Sequence, residues 1–375
     1  MLHKEIKYSY NDISLRPAVL TDIKHREECN VYLPDKKLPI FTAPMSSVIR
    51  YWNYKCFDEA GIIPILPRSE YIVRRRQWLM EGKWVALSLK EFKNYFLSTE
   101  ERLDKQGKYR VLIDIANGHM RDLYESIKTV KKNYGGNLTI MAGNVANPET
   151  YRTCWEAGVD YVRLSIGTGF GCISSTQLGV HYPIVSLLDE TYKIKKYISE
   201  ARGIPFDTMP KIIADGGIRG YSDVIKALAV GADYVMIGGE FAKLVESAAP
   251  LNVLNPSGVV NNKFLNENRS MLRHVGDHFV LTLTTPVRVD GLYKTFYGMA
   301  SKQGQIDING RKTKTSEGNV KQVEVTTNLD KWVENMAAYM RSAMSYLNLH
   351  DITELNPENV DVFVISENTR NSINK

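Results

Sequence analysis

The sequence predicts an α/β protein of the (β/α)8 barrel class, the TIM barrel. Short apolar runs that end in small or polar residues recur eight times, and segments with helical spacing lie between most of them. Strands that alternate with helices run parallel, and eight such units in about 210 residues match the usual size of this barrel. The alternative is a doubly wound open sheet, because alternation alone does not prove that the sheet closes.

The predicted strands share an apolar centre and a small or polar end. In chain order they cover residues 38–43, 62–66, 84–89, 110–116, 138–142, 161–166, 211–214 and 234–237. Helical spacing is clearest in the intervening segments 120–132, 148–157 and 221–230.

The segments after the barrel predict additions to a single catalytic domain that covers residues 1–354. Residues 248–291 combine polar turns with an alternating run, which indicates a protruding hairpin insertion whose role stays open. Residues 329–347 have helical spacing and are expected to pack on the barrel exterior. For the Asn- and Glu-rich tail, residues 355–375, we expect partial disorder.

The composition is typical of a cytoplasmic enzyme, with 24% charged and 43% hydrophobic residues in a chain of 375. No apolar run approaches the ~20 residues that cross a bilayer, so no membrane partner is expected. The four cysteines lack a CxxC pair, which predicts free thiols and no zinc site. The net charge of +6 is modest, and the arginines at 74–76 indicate a solvated helix face rather than a nucleic-acid surface.

Polar groups follow four of the predicted strands. Asp114, Asn144 and Asp215 lie at or just after the ends of the fourth, fifth and seventh strands. Cys172 follows the sixth, at the end of a loop with glycines at 167, 169 and 171 that free the backbone to turn amides or carbonyls toward an ion. A lone cysteine is more often a small buried hydrophobe, but this context favours a nucleophile. The four groups should converge on one face of the barrel.

Nine stretches carry a resemblance to a known family. They cover residues 10–17, 43–48, 114–118, 141–145, 167–172, 179–183, 214–218, 231–239 and 297–301, among them Asp-Ile-Ala-Asn-Gly at 114–118 and Ala-Asp-Gly-Gly-Ile at 214–218. The stretches follow one another in the family's own order, and with them the chain resembles the IMP dehydrogenase/GMP reductase family from about residue 7 to residue 350. The resemblance implies a TIM barrel and a homotetramer.

Two features favour the reductase branch of that family. The dehydrogenases usually carry regulatory domains after the second strand, and the interval between Arg68 and Trp84 has no room for them. Dehydrogenases also use an Arg-Tyr pair on a mobile flap, and this pair is missing from the corresponding flap here, residues 300–325. The stretch 315–318, Thr-Ser-Glu-Gly, is instead similar to the reductase pattern.

The resemblance then implies NADPH-dependent reductive deamination of a guanine nucleotide to the hypoxanthine nucleotide and ammonia. Cys172 would form a covalent adduct at the purine, and Glu317 with the hydroxyl of Ser174 would protonate the leaving amine. The implied substrate-binding residues are Met45, which is equally compatible with a core position, Asn144, Asp215, Gly216, Gly217, Gly238, Gly239, Tyr297, Met299 and Ala300. The implied cofactor-binding residues are Asp114, Ala116, Asn117, Gly118 and Lys314. Carbonyls of Gly167, Gly169 and Cys172 would hold a monovalent cation such as K⁺.

Three departures from the family pattern bear on the substrate. Phe170 stands where most members have a serine that helps to bind phosphate, Ser174 replaces a threonine, and Lys314 replaces an arginine common in reductases. They raise the hypothesis of a substrate other than plain GMP, such as dGMP or a modified purine.

Two other functions remain open. One is IMP dehydrogenase-like oxidation of IMP to XMP with NAD, for which Cys172 would serve equally. The other is a catalytically silent purine-nucleotide-binding homologue. The joint presence of Cys172, Glu317 and Asp215 argues against the silent homologue.

Overall fold

A computed structural model of the chain describes residues 5–169, 174–255, 258–275, 278–282, 287–313, 315–316 and 318–373. Its strands are β1 (Ile13–Leu15), β2 (Ile40–Thr42), β3 (Trp84–Leu87), β4 (Tyr109–Asp114), β5 (Leu138–Val145), β6 (Tyr161–Leu164), β7 (Lys211–Asp215), β8 (Tyr234–Ile237), β9 (Leu251–Asn255), β10 (Gly258–Asn261), β11 (Leu272–Val275), β12 (His278–Leu281), β13 (Val287–Val289), β14 (Leu292–Tyr297), β15 (Val320–Glu324) and β16 (Val362–Val364). Its α-helices are α1 (Tyr54–Glu59), α2 (Ile72–Met80), α3 (Leu89–Phe96), α4 (Arg121–Tyr134), α5 (Thr150–Ala157), α6 (Ser174–Leu178), α7 (Ile184–Arg202), α8 (Tyr221–Ala229), α9 (Gly239–Ala242), α10 (Lys263–Glu267), α11 (Lys302–Asn309), α12 (Leu329–Leu347) and α13 (Glu367–Ile373).

The central sheet is a parallel barrel, as predicted. Seven strands pair in the order β2-β8-β7-β6-β5-β4-β3. Residues 62–66 join the two ends of this sheet, because Thr42 N–H donates to Ile63 O at 3.0 Å and Leu66 N–H donates to Trp84 O at 3.0 Å. These contacts close the barrel and exclude the open sheet. Residues 62–66 make only isolated bridges rather than the predicted second strand, since Pro64 has no N–H for a continuous ladder.

Aromatic side chains from four strands fill part of the barrel interior. The ring of Trp84 meets Phe41 at a centroid distance of 5.6 Å and Tyr161 at 5.4 Å, both edge to face, and Tyr234 packs on Tyr161. Three of these rings stand at the first residue of their strands, so they occupy the N-terminal end. Side chains alternate along a strand, and the inward position after Tyr161 on β6 is Arg163. Polar groups therefore begin where the aromatic layer ends.

The helices outside the barrel largely follow the predictions. Helix α12 begins and ends at the predicted residues and packs on α8 and α9 through Trp332, whose ring contacts Tyr221 and Phe241. The arginine run on α2 differs from the solvated face we expected. Arg75 is buried and its Nη2 donates to Glu91 Oε1 at 2.6 Å.

The insertion after β8 contains more than the single hairpin predicted for residues 248–291. Strands β9 and β10 form an antiparallel hairpin, but β9 also pairs with β14, which pairs with β15. Strands β11, β12 and β13 form a second small sheet. Buried Lys294 joins β14 to the barrel, because its Nζ donates to the carbonyls of Val245 at 2.6 Å and Ser247 at 2.8 Å. The sheet of β9, β10, β14 and β15 leads through β14 directly into the flap.

The C-terminal tail also differs from our expectation of partial disorder. Strand β16 pairs antiparallel with β1, with Ile13 opposite Val364, and α13 follows it. The Arg370 guanidinium lies 2.8 Å from the Asp12 carboxylate. Across the part of the chain that the structure describes, no helix combines the length and the apolar character that crossing a bilayer requires.

Candidate active site

A cavity of about 880 Å³ lies at the C-terminal ends of the barrel strands. Loops that follow β2, β4, β5, β6, β7 and β8 contribute to its lining, and the flap forms one wall. Another cavity, of about 530 Å³, lies at the opposite end of the barrel against the strand starts Lys211 and Tyr234. It contains none of the predicted site residues, so we place the candidate site in the larger cavity, where barrels carry their active sites.

Most of the predicted site residues lie together in this cavity. Its lining includes the predicted substrate residues Met45, Asn144, Asp215, Gly216, Gly217, Gly238, Gly239, Met299 and Ala300. It also includes the predicted cofactor residues Asp114, Ala116 and Asn117, and Gly167 and Gly169 of the predicted cation site. Gly118 lies beneath the lining, and the phenol of Tyr297 points to Asp307 instead.

Several predicted residues lie outside the described part of the chain. These are Phe170, Cys172, Lys314 and Glu317; Ser174 begins α6, but its side chain is not described. Their roles stay predictions. The chain on either side of them does reach the cavity, since Gly169, Thr313 and Gly318 are among its lining residues.

Arg163 links the predicted cofactor-binding residue Asp114 to the predicted substrate-binding residue Asp215. Its Nη1 donates to Asp114 Oδ1 and its Nε to Asp215 Oδ2, both at 2.8 Å. Burial raises the pKa of Asp215, and the positive charge of Arg163 opposes that rise. Sequence reasoning missed this residue, although a single charged side chain inside the apolar run 161–166 was a usable signal. One guanidinium thus holds Asp114 and Asp215 side by side in the same cavity.

Arg163→Met is expected to lower the free energy of unfolding by about 3–5 kcal/mol, because it leaves two largely buried carboxylates without their shared cation. Arg163→Lys should fall between this variant and the wild type, since an ammonium keeps the charge but lacks the planar guanidinium whose Nε and Nη1 reach separate carboxylates. Urea denaturation followed by circular dichroism would measure both. Equal stability of Arg163→Met and the wild type would show that the bridge contributes nothing net.

Close backbone approaches hold neighbouring loops of the site together. Gly118 N–H donates to Asn144 O at 2.8 Å, and a Cβ at residue 118 would lie 2.5 Å from that oxygen. Gly216 has φ +93°, and a Cβ there would lie 2.7 Å from Thr168 Oγ1. Both positions therefore require glycine. The first contact joins the loop after β4 to the end of β5, and the second joins the loops after β6 and β7.

Asn144 carries an open hydrogen-bond acceptor. Its Oδ1 is buried and has no partner among the described residues. A buried carbonyl oxygen without a donor is costly, so such groups in a cavity are suited to a ligand N–H. Amide and amine groups of purine or nicotinamide rings are donors of this kind.

His119 is a further lining residue that the sequence reasoning missed. Its Nε2 accepts from Ala146 N–H at 3.1 Å, which places the ring proton on Nδ1, 3.2 Å from Thr150 Oγ1. Partial burial lowers the pKa of this imidazole, consistent with the neutral ring. His119 therefore fixes the loop after β5 rather than presenting a positive charge.

The three described cysteines do not suit a nucleophile. Cys29 and Cys154 are buried, Cys56 is exposed, and none of them lines the larger cavity. Burial raises the pKa of the Cys29 and Cys154 thiols, that of Cys154 to about 12. Among the residues described here, no group of His, Cys, Asp and Glu could hold a metal ion.

Fold and site together define a (β/α)8 barrel with a ligand cavity at its C-terminal face, and comparison with known proteins identifies the family. The sequence profile of the IMP dehydrogenase / GMP reductase domain matches residues 86–263. The chain is 30% identical to the GMP reductase of Helicobacter pylori over 269 aligned positions, with 66% of this chain and 74% of that protein covered. It thus belongs to the IMP dehydrogenase/GMP reductase family, whose members are oxidoreductases, and the predicted family is confirmed.

Relatives from both branches of the family are similar to this chain. The inosine-5'-monophosphate dehydrogenase of Chlorobaculum tepidum is 30% identical over 276 residues, which are 74% of this chain and 49% of that protein. The GMP reductase of Streptococcus suis is 26% identical over 391 aligned positions, with 99% of both chains covered.

Proposed function

We propose that this protein is an NADPH-dependent reductase of a guanine nucleotide, GMP or a close analogue such as dGMP. The product is the hypoxanthine nucleotide with ammonia, and the reaction passes through a covalent adduct on Cys172. The observation that carries the proposal is the Asp114–Arg163–Asp215 bridge, because it sets two carboxylates that suit ribose hydroxyls in one cavity. A reaction between a nucleotide and a dinucleotide brings two riboses into one cavity, and each carboxylate can accept hydrogen bonds from one of them.

The substrate half of the proposed site centres on Asp215. Its carboxylate accepts hydrogen bonds from the sugar hydroxyls, and backbone amides at Gly216, Gly217, Gly238 and Gly239 face the phosphate, as after the last two strands of many barrels. Asn144 Oδ1, the buried acceptor without a described partner, accepts a hydrogen bond from a ring or amine N–H of the base. Met299 and Ala300 line the same cavity and bound the base.

The cofactor half of the proposed site lies at the end of β4. Asp114 and the following residues Ala116 and Asn117 line the cavity, and Gly118 is bonded to the backbone beside the base pocket. These residues fit the nicotinamide ribose of NADPH, which supplies a hydride to purine C2 when bound. Lys314 completes this half.

The proposed chemistry divides one difficult substitution into two steps. The Cys172 thiolate adds to C2 of the guanine ring, and the exocyclic amine leaves as ammonia after Glu317 and Ser174 assist its protonation. A thioimidate-like adduct remains. Reduction at C2 then breaks the C–S bond, and the electron pair returns to sulfur as the thiolate.

The reductase direction is favoured over the dehydrogenase by the chain's organisation. Between residues 66 and 84 the structure has only helix α2, with no inserted domain. The reductase from Streptococcus suis also matches over its whole length, whereas the dehydrogenase from Chlorobaculum tepidum matches over about half of its own. A monovalent cation at the Gly167–Cys172 loop and a homotetramer form part of the same proposal.

The decisive assay follows NADPH absorbance in potassium buffer, with GMP and dGMP as separate substrates. We expect NADPH oxidation with release of one ammonia per turnover, and the ratio of kcat/KM values ranks the two sugars. Formation of XMP from IMP and NAD, without NADPH oxidation by either guanine nucleotide, would replace the proposal with the dehydrogenase. Saturable nucleotide binding without any turnover would indicate the silent homologue.

A further inference from the structure

The flap forms one wall of the cavity, and its helix α11 is held by a polar contact outside that wall. Met299, Ala300, Gln305 and Thr313 are on the cavity side. Asp307, on the same helix as Gln305, does not line the cavity and is largely buried, with its side chain 11% exposed. The position of this wall therefore depends on what Asp307 contacts.

Four donors converge on the Asp307 carboxylate. Its Oδ2 accepts from Ser46 Oγ at 2.5 Å, Tyr297 Oη at 2.7 Å and Arg50 Nη2 at 3.3 Å. Its Oδ1 accepts from Gln303 Nε2 at 2.9 Å. An ionised carboxylate only accepts hydrogen bonds and can serve all four donors, so the cluster matches aspartate in particular.

The cluster joins two separate parts of the chain. Ser46 and Arg50 belong to the loop after β2, which also contains the predicted substrate-binding residue Met45, whereas Tyr297 and Gln303 belong to the flap side. Ser46 N–H also points at Met299 Sδ, 3.5 Å away. The contact thus ties helix α11 of the flap to the loop after β2.

Gln305 connects helix α11 to the later part of the flap at Thr313 and Thr315. Its Oε1 accepts from Thr313 N–H at 3.0 Å, and its Nε2 donates to Ala300 O at 3.3 Å. A longer contact, 3.5 Å, joins Nε2 to Thr315 O. Residues 313 and 315 flank Lys314 and precede Glu317, the two flap residues that the proposed function uses.

We propose that Asp307 is a positioning residue: by holding α11 against the loop after β2, it sets the place of Thr313 and Thr315, the two described neighbours of Lys314. The effect of this role on catalysis rests on the proposed function. Asp307 does not line the cavity in which nucleotide and cofactor are proposed to bind. Its loss should therefore impair the steps that need the flap more than the binding of the nucleotide to the barrel loops.

The kinetic test compares Asp307→Ala and Asp307→Asn with the wild type. We expect Asp307→Ala to lower kcat by about 10–100-fold while the directly measured Kd for GMP changes by less than about threefold, because misplaced catalytic groups cost rate rather than affinity. Asp307→Asn should be milder, since its carbonyl still accepts from Ser46 and Tyr297. Glu125→Ala, which removes an exposed carboxylate on distant α4, is the control and should match the wild type.

A second readout needs no turnover. Trypsin should cleave after the exposed residues Arg311 and Lys312 faster in Asp307→Ala than in the wild type or Glu125→Ala. Ser46→Ala should accelerate the same cleavage, and the double variant Ser46→Ala/Asp307→Ala should be no faster than Asp307→Ala alone. If Asp307→Ala does not fold, as judged by its thermal unfolding, Asp307→Asn and Ser46→Ala carry the comparison.

The two readouts separate the possible failures. Wild-type flap cleavage rates in every Asp307 and Ser46 variant would overturn the anchoring role, whatever the activity. A loss of GMP affinity in proportion to kcat would also overturn it, because that pattern indicates a disturbed binding site. If the wild type turns over neither GMP nor dGMP, the proposed function fails, and faster cleavage in Asp307→Ala still supports the anchor.

Discussion

Replacing Cys172 with serine is expected to lower kcat/KM for NADPH-dependent turnover by about a thousandfold or more. A thiol ionises near neutral pH and is intrinsically nucleophilic, whereas a serine hydroxyl stays protonated without a dedicated base. Nucleotide binding should survive, because the barrel loops that contact sugar and phosphate are unchanged. Steady-state kinetics together with GMP binding by calorimetry would separate the two effects.

Cys56→Ser is the matched control for this variant, since Cys56 is an exposed free thiol that does not line the larger cavity. It should retain wild-type kcat/KM. Alkylation adds a further check: GMP should protect Cys172 from iodoacetamide and leave Cys56 reactive, as read by peptide mass spectrometry. Turnover by Cys172→Ser within about tenfold of the wild type would remove the covalent step from the proposal.

The barrel was predictable because its signal is local. Each parallel strand is a short buried run, and seven of the eight predicted runs match strands β2–β8 to within a few residues. Residues 62–66 escaped the pattern because Pro64 interrupts the ladder while the side chains remain apolar. The pairing of β1 with β16 and of β9 with β14 was not predictable, since both join strands that are distant in sequence and carry no local mark of their partner.

The candidate site residues that lie at strand ends were predictable from the sequence. Asp114, Asn144 and Asp215 end or follow strands, and the structure brings them into one cavity. Arg163 and Asp307 were missed for different reasons. Arg163 lies inside a strand, where its partners are fixed by the order of β4, β6 and β7 in the sheet, and Asp307 lies on a short flap helix whose contact with Ser46 bridges distant parts of the sequence.

Asp215→Asn is expected to reduce kcat/KM for GMP about a hundredfold, chiefly through KM. Hydrogen bonds to an ionised group contribute about 1.5–3 kcal/mol each, and the amide offers the sugar a neutral group in place of the carboxylate. The penalty should be smaller for dGMP, which lacks the 2'-hydroxyl and so makes one bond fewer. Kinetics with both nucleotides at saturating NADPH would measure it.

Asp114→Asn is the matched control, because Asp114 and Asp215 each lie 2.8 Å from the same guanidinium and their loss disturbs Arg163 in a similar way. We expect Asp114→Asn to raise KM for NADPH and to leave KM for GMP nearly unchanged, the reverse of Asp215→Asn. If both variants raise both KM values equally, the carboxylates act only by holding Arg163. Opposite selectivity would establish that one bridge supports two separate binding sites, one for the nucleotide and one for the dinucleotide.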